Sequence, residues 1–136
     1  MGQLNAILYR SEAHRANDAQ MLREIMSHSR ERNELLAVTG ILHHENGVFY
    51  QWLEGPTDSV RSVYDSVKRD GRHTGIIELL NNDVSARNFR FWSMALSGRD
   101  TLSIFDWAAQ NDVSLHKAKA DDILRFLHAS ARRLKR

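Results

Sequence analysis

Three polar side chains stand where their surroundings are apolar. Gln51 lies between Tyr50 and Trp52, in a run that otherwise reads as core. A buried glutamine must satisfy both a carbonyl acceptor and an amide donor. Tyr9 ends the apolar run 4–9, and a buried phenol also needs a partner. Asn33 falls just past an expected helix. Together these groups suit a planar, amide-rich ligand with acceptors and a donor alternating along one edge. On spacing alone the ordinary alternative is favoured: Gln51 and Tyr9 bond each other, or backbone, inside a plain core.

Other chemistry is poorly supported. The seven histidines are His14, His28, His43, His44, His73, His116 and His128. Strand alternation sends the adjacent His43 and His44 to opposite faces, so they make no natural chelate. There is no HExxH, GxSxG or Walker loop, and no GxGxxG after a strand. Glu12, Glu45, Glu54 and Asp70 show no paired-carboxylate spacing. A hydrolase or nucleotide-dependent enzyme is therefore unsupported, and no metal site is expected. The absence of cysteine excludes disulfides and thiolate metal sites and points to a reducing cytoplasm.

The elements that must position these residues follow from periodicity. Residues 4–9 read as a buried strand, broken by polar 11–16. A helix follows over about 18–32, capped by Asn17 or Asp18, with Met21, Leu22, Ile25 and Met26 as its stripe. Strands over 38–43 and 48–53 flank Asn46-Gly47, a strong hairpin signal. In the second, Phe49, Gln51 and Leu53 share one face, and Val48, Tyr50, Trp52 and Glu54 the other. Thr57 or Asp58 caps a second helix with the stripe Val60, Val63, Tyr64 and Val67, closed near Gly71. Residues 76–80 form a fourth strand and 89–96 a fifth, with Ser97-Gly98 as a boundary. Helices are expected over 102–109 and 121–134.

This order predicts an α+β, ferredoxin-like β-α-β-β-α-β arrangement plus a fifth strand: a five-stranded mixed sheet with two helices on one face. Residues 1–98 read as the domain and 99–136 as a C-terminal two-helix extension. The fold alone assigns no function. Its 136 residues, 42% hydrophobic and 26% charged, suit one core and argue against disorder. No run is long enough to span a bilayer, and the start Met1-Gly2-Gln3 lacks a signal-peptide pattern. Residues 1–98 hold 11 Lys/Arg against 12 Asp/Glu, and 99–136 hold 8 against 5. A near-neutral body argues against nucleic acid. The basic end, with Arg132, Arg133, Lys135 and Arg136, reads as a solvated helix terminus.

At the residues singled out, the sequence resembles the BLUF (blue light using flavin) family. The matching stretches are Leu8-Tyr9-Arg10-Ser11-Glu12-Ala13, Ser29-Arg30-Glu31-Arg32-Asn33 and Val38-Thr39-Gly40-Ile41-Leu42. Further on come Gly47-Val48-Phe49-Tyr50-Gln51-Trp52-Leu53-Glu54-Gly55, Asp70-Gly71-Arg72-His73 and Phe91-Trp92-Ser93-Met94. They keep the family's order and span about residues 4–98. The resemblance implies a non-covalent flavin, usually FAD, with FMN or riboflavin as alternatives, lying between the two helices. Tyr9 then matches the photoactive tyrosine, Gln51 the glutamine bridging it to the flavin, and Asn33 a residue bonding the flavin edge. Trp92 and Met94 match the fifth-strand residues that relay the change. Ile25 and Val67 would sandwich the ring, and Ser29, Asp70 and Arg72 fall at further pocket positions. Arg32 stands where members often carry Asn or His, and a phosphate or ribityl contact is its expected role. Ala37 replaces a common glycine, a change of little consequence if the backbone there is extended.

The implied function is a blue-light photoreceptor, not an enzyme, since 38 residues beyond the domain are too few for a cyclase or phosphodiesterase. Signalling through a separate protein partner, with self-association into a homo-oligomer, is expected. Trp107, Phe105, Phe126 and Leu127 either cover the open sheet face or form a partner surface. The competing readings are a small flavin reductase or acylphosphatase-like hydrolase, and a ligand-free interaction or RNA-binding module.

Overall fold

The structure, a computed structural model, describes residues 3–14 and 19–134. The expected cap at Asn17 or Asp18, the Met1-Gly2 start and the terminal Lys135-Arg136 lie outside the described residues. The elements run β1 (Leu4–Ala13), α1 (Ala19–Leu36), β2 (Thr39–Glu45), β3 (Val48–Pro56), α2 (Thr57–Arg69), β4 (His73–Val84), β5 (Ala95–Gly98), α3 (Ile104–Gln110) and α4 (Ala120–Ala131). The sheet order is β4-β1-β3-β2-β5. β1 pairs antiparallel with β3 and β4, β2 antiparallel with β3, and β5 parallel with β2, which makes the sheet mixed. None of the described helices is long and apolar enough to cross a membrane.

Strand alternation divides the core in two. Ile7, Tyr9, Leu42, Phe49, Leu53 and Met94 pack with Met26 of α1 and with Val60, Val63 and Val67 of α2. Ala6, Leu8, Ile41, Trp52 and Ala95 pack on the other face with Ile104 and Trp107 of α3 and Ile123, Phe126 and Leu127 of α4. Burying each large side chain contributes about 1.5–3 kcal/mol. α3 and α4 therefore cover the second face, as one expectation for Trp107, Phe126 and Leu127 had it. Phe105 instead remains half exposed.

Several boundaries differ from the expected ones for physical reasons. β1 continues to Ala13 because Ser11, fully buried, is satisfied by His73 at 2.7 Å. Thr57 opens α2 as its first residue; Pro56 is the cap and offers no side-chain oxygen. The fifth strand is Ala95–Gly98, not 89–96, so Ser97-Gly98 lies inside it. The stretch before it cannot join a ladder because its backbone is engaged elsewhere. The buried Glu54 carboxylate accepts from the N–H groups of Asn88 and Phe89 at 2.7 and 2.5 Å. The carbonyls of Trp92, Ser93 and Met94 accept from Gly40 N, Asn33 Nδ2 and Arg30 Nε at 3.1, 2.9 and 3.1 Å.

Ala37 is not extended: its φ is +59°. It sits where α1 ends, with Val38 N donating to Asn33 O at 2.9 Å and Ala37 N to Glu34 O at 3.4 Å. That is a Schellman ending, which favours glycine at this position. Asn46 and Gly47 both have positive φ, as the hairpin signal requires.

Candidate functional site

A cleft of about 280 Å³ opens between α1 and α2 above the sheet. On α1, Ile25, Ser29 and Arg32 share one face by their spacing of four and three. On α2, Val67 closes the opposite wall. The floor comes from Tyr9 of β1, Leu42 of β2, and Phe49 and Gln51 of β3. Phe49 and Gln51 both reach it because alternate strand residues face the same way. Asp70 and Arg72 follow α2 at one side.

Tyr9 and Gln51 are direct partners in the β1/β3 ladder, and both are almost fully buried. The Tyr9 hydroxyl donates to Gln51 Oε1. Gln51 Nε2 in turn donates to Met94 Sδ at 3.4 Å. Burial pushes the Tyr9 pKa well above that of an ordinary phenol, aided by Tyr64, so the hydroxyl stays protonated. A bulge beside Tyr9 sets its placement: Leu8 pairs with Leu80 and Tyr9 with Glu78, leaving Leu79 as the extra residue of β4.

The cleft rim is charged. Arg72 Nη2 bonds Asp70 Oδ2 at 2.6 Å, and Arg72 Nε bonds Asp70 Oδ1 at 2.9 Å. This pairing holds the Asp70 carboxyl below its usual range and raises the Arg72 guanidinium. Arg69 adds a second cation. Arg32 reaches inward: its Nε donates to Asn33 Oδ1 at 3.2 Å, while its Nη2 is buried and makes no hydrogen bond within the chain. Burial lowers the Arg32 pKa. A buried guanidinium nitrogen without an acceptor is costly, which makes the cleft a fit for a ligand carrying a carbonyl or phosphate oxygen.

The other singled-out residues divide. Met94 is buried beside Gln51, on the cleft side of the core. Trp92 packs against the core of the opposite face, next to Phe91. Asn33 is fully buried but does not line the cleft; its amide spans Arg32 and the Ser93 carbonyl. Among lining residues not singled out are His28, Leu42, Phe49, Ser66, Arg69 and His73. Phe49 was recoverable from its shared face with Gln51. His73 is a structural histidine, bridging Ser11 Oγ and the Val67 carbonyl at 2.7 and 2.8 Å.

A family model, sensors of blue-light using FAD, matches residues 4–95. The blue light- and temperature-regulated antirepressor BluF of Escherichia coli (strain K12) is 32% identical over 121 residues, covering 89% of this chain and 26% of that protein. The photoactivated adenylate cyclase subunit beta of Euglena longa is 28% identical, covering 93% of this chain and 16% of that protein. The chain thus spans about a quarter or less of these two relatives. Among solved structures, the dark state of the BLUF protein BlrB superposes with a TM-score of 0.81 at 30% identity, covering 96% of this chain and 98% of that one. The photo-activated state of BlsA superposes at 0.79 with 25% identity, covering 93% of each. With its cleft, its Tyr9–Gln51 pair and a family match over two thirds of its length, this chain belongs to the BLUF family, the sensors of blue light that use FAD.

Proposed function

We propose that this chain is a blue-light sensor that holds FAD in the α1/α2 cleft and passes a rearranged hydrogen-bond network to a protein partner. The observation that carries this is the continuous chain Tyr9–Gln51–Met94, which starts on the cleft floor and runs into the core beneath it. Ile25 and Val67 would hold the ring between the helices. Arg32, Ser29 and Gln51 would meet its polar edge. Arg69 and the Asp70–Arg72 pair, at the rim, suit a phosphate-bearing ligand, which supports FAD or FMN over riboflavin.

The flavin, when bound, supplies a ring that absorbs blue light and becomes a strong electron acceptor. The residues do the rest. Tyr9 keeps its proton until light arrives, because burial disfavours the phenolate. Its hydroxyl is already directed at Gln51 Oε1, so the proton would move toward that oxygen as the electron leaves for the bound flavin. Gln51 is the only one of the three that both donates and accepts through its side-chain amide. Rotating that amide would exchange its ends, replacing the donor that faces Met94 Sδ with an acceptor. The Met94 contact is then lost, and the signal is a displaced segment rather than a chemical product.

In this reading residues 1–98 sense light and residues 99–136, through α3 and α4, form the output. The name of the Escherichia coli relative, an antirepressor, supports an output onto a partner. The test is the visible spectrum of the purified protein before and after a blue flash. A flavin band that moves slightly to the red and returns in the dark supports the proposal. A flavin band that bleaches or does not respond, or a colourless protein that refuses added flavin, overturns it.

A further inference from the structure

The apolar core under α3 and α4 contains a run of polar side chains that the light-sensing cleft does not use. His43 is fully buried, with Ser130 as well, and Ser97 and Glu45 are nearly so. His43 Nδ1 lies 2.8 Å from Ser97 Oγ, and His43 Nε2 lies 2.8 Å from Glu45 Oε1. Ser97 Oγ contacts Ser130 Oγ of α4. Glu45 closes the other end: Oε2 accepts from Ser103 Oγ at 2.6 Å and Oε1 from Ile104 N at 2.8 Å, where α3 begins. The His43 ring also meets Phe126 of α4 edge-on, with centroids 4.7 Å apart.

The chemistry of the groups orients this run. A neutral imidazole has one N–H. Glu45, held ionised below its ordinary range because donors from Ser103, Ile104 and His43 outweigh burial, can only accept. The proton is therefore on Nε2, and Nδ1 accepts. Ser97 must donate to Nδ1, which leaves its oxygen to accept from Ser130. Every donor then points toward Glu45, from α4 through β5 and β2 to α3. Burial keeps the imidazole below its ordinary pKa, consistent with the neutral form. A fully paired polar run in an apolar core is specific in geometry, because any member that shifts leaves a partner unsatisfied.

β5 carries this run. It has four residues, it is held in the sheet through β2 alone, and Ser97 is the direct ladder partner of His43. Met94 precedes β5 immediately and meets Gln51 at the cleft floor. A shift of Met94 is therefore three residues from the one hydroxyl that joins β5 to both His43 and α4. Resting on the sensor reading above, we propose that the Ser130–Ser97–His43–Glu45–Ser103 run is the coupling element that converts displacement of β5 into loosening of α3 and α4.

The test uses the full chain loaded with FAD and follows amide hydrogen exchange of α3 and α4 in the dark and under blue light. Ser97→Ala and Ser130→Ala lie outside the cleft. Both are expected to keep the red-shifted flavin spectrum, to exchange α4 amides about five- to tenfold faster in the dark, and to lose the light response there. A light response of α4 unchanged in both variants overturns the proposal. Nitrogen NMR of the His43 ring gives a light-independent check: a neutral ring protonated on Nε2 is expected, and an imidazolium or an Nδ1-protonated ring overturns the orientation. A wild-type chain that binds FAD yet shows no red shift refutes the sensor reading instead. The dark exchange rates still decide the coupling in that case, with unchanged rates at α4 in Ser97→Ala counting against it.

Discussion

The Asn33 side-chain amide donates to the Ser93 carbonyl at 2.9 Å, so the end of α1 grips the chain one residue before Met94. Arg30 and Gly40 hold the carbonyls on either side. The segment that contacts Gln51 through Met94 is thus pinned by the helix that also forms a wall of the cleft. Asn33→Ala leaves the Ser93 carbonyl without its donor and should cost about 1–3 kcal/mol, read from the urea midpoint. Asn33→Asp should cost at least as much, since a carboxylate cannot donate to that carbonyl. An Asp variant as stable as wild type would contradict this role.

Tyr9→Phe and Gln51→Ala each break the Tyr9–Gln51–Met94 chain without removing the walls at Ile25 and Val67. Both should bind flavin and fail to form the red-shifted state, measured by absorbance after a blue flash. A normal photocycle in either variant would remove the mechanism proposed above.

Ala37→Gly should stabilise the fold by about 0.5–1 kcal/mol. The alanine occupies a left-handed conformation at φ +59° and is exposed, so removing its Cβ relieves strain and uncovers no core. Thermal melting is the check, with a higher midpoint expected.

The buried Glu54 carboxylate accepts from Trp52 Nε1, Thr39 Oγ1, Asn88 N and Phe89 N. Glu54→Gln turns one acceptor into a donor facing donors. A loss of about 2–3 kcal/mol is expected by chemical denaturation. The effect should extend to α4, because His128 bonds Asn88 and stacks on Phe89.

Burial holds His43, His44 and His128 below the ordinary histidine value of 6.5. The unfolded chain then binds more protons than the folded one as pH falls through that value, so stability present above about pH 6.5 is lost on acidification. Asp70 and Glu45, also depressed, extend the loss as pH falls below their ordinary values of 3.8 and 4.5. Tyr9, raised further, and Tyr64, pushed up to about 12, act oppositely: their contribution is lost above pH 10. Urea midpoints at pH 5, 8 and 10.5 should be highest at pH 8, and a flat profile from 8 to 5 would refute the histidine argument.

Much of the architecture was legible because its signals are local. The Asn46-Gly47 turn, the two-residue alternation of β3 and the Val60–Val67 stripe each follow from spacing, and with them the strand–helix order. Gln51 and Tyr9 stood out as polar residues in apolar runs. What escaped were features created by distant partners. The 89–94 stretch is rich in aromatics, which suits a strand, but Glu54, Asn33, Arg30 and Gly40 take its backbone groups from far away in sequence. The left-handed Ala37 is likewise decided by the helix ending, not by alanine's preference. Asp70 and Arg72 were named as pocket positions, but only through the family resemblance, because their place at the cleft rim depends on how α2 runs into β4. The His43–Glu45 run was hidden because each member reads, alone, as ordinary strand or surface polarity.

The two cores meet back to back along β3, where Gln51 belongs to one and Trp52 to the other. They share the β3 backbone and draw their side chains from separate sets. In the proposed sensor the two faces can therefore change separately wherever Met94 and the Ser97–His43 run do not tie them: substitutions among the apolar α3 and α4 contacts would alter a partner surface without altering the colour of the light response. In that reading a partner would be exchanged by rewriting one side of a sheet whose other side stays fixed.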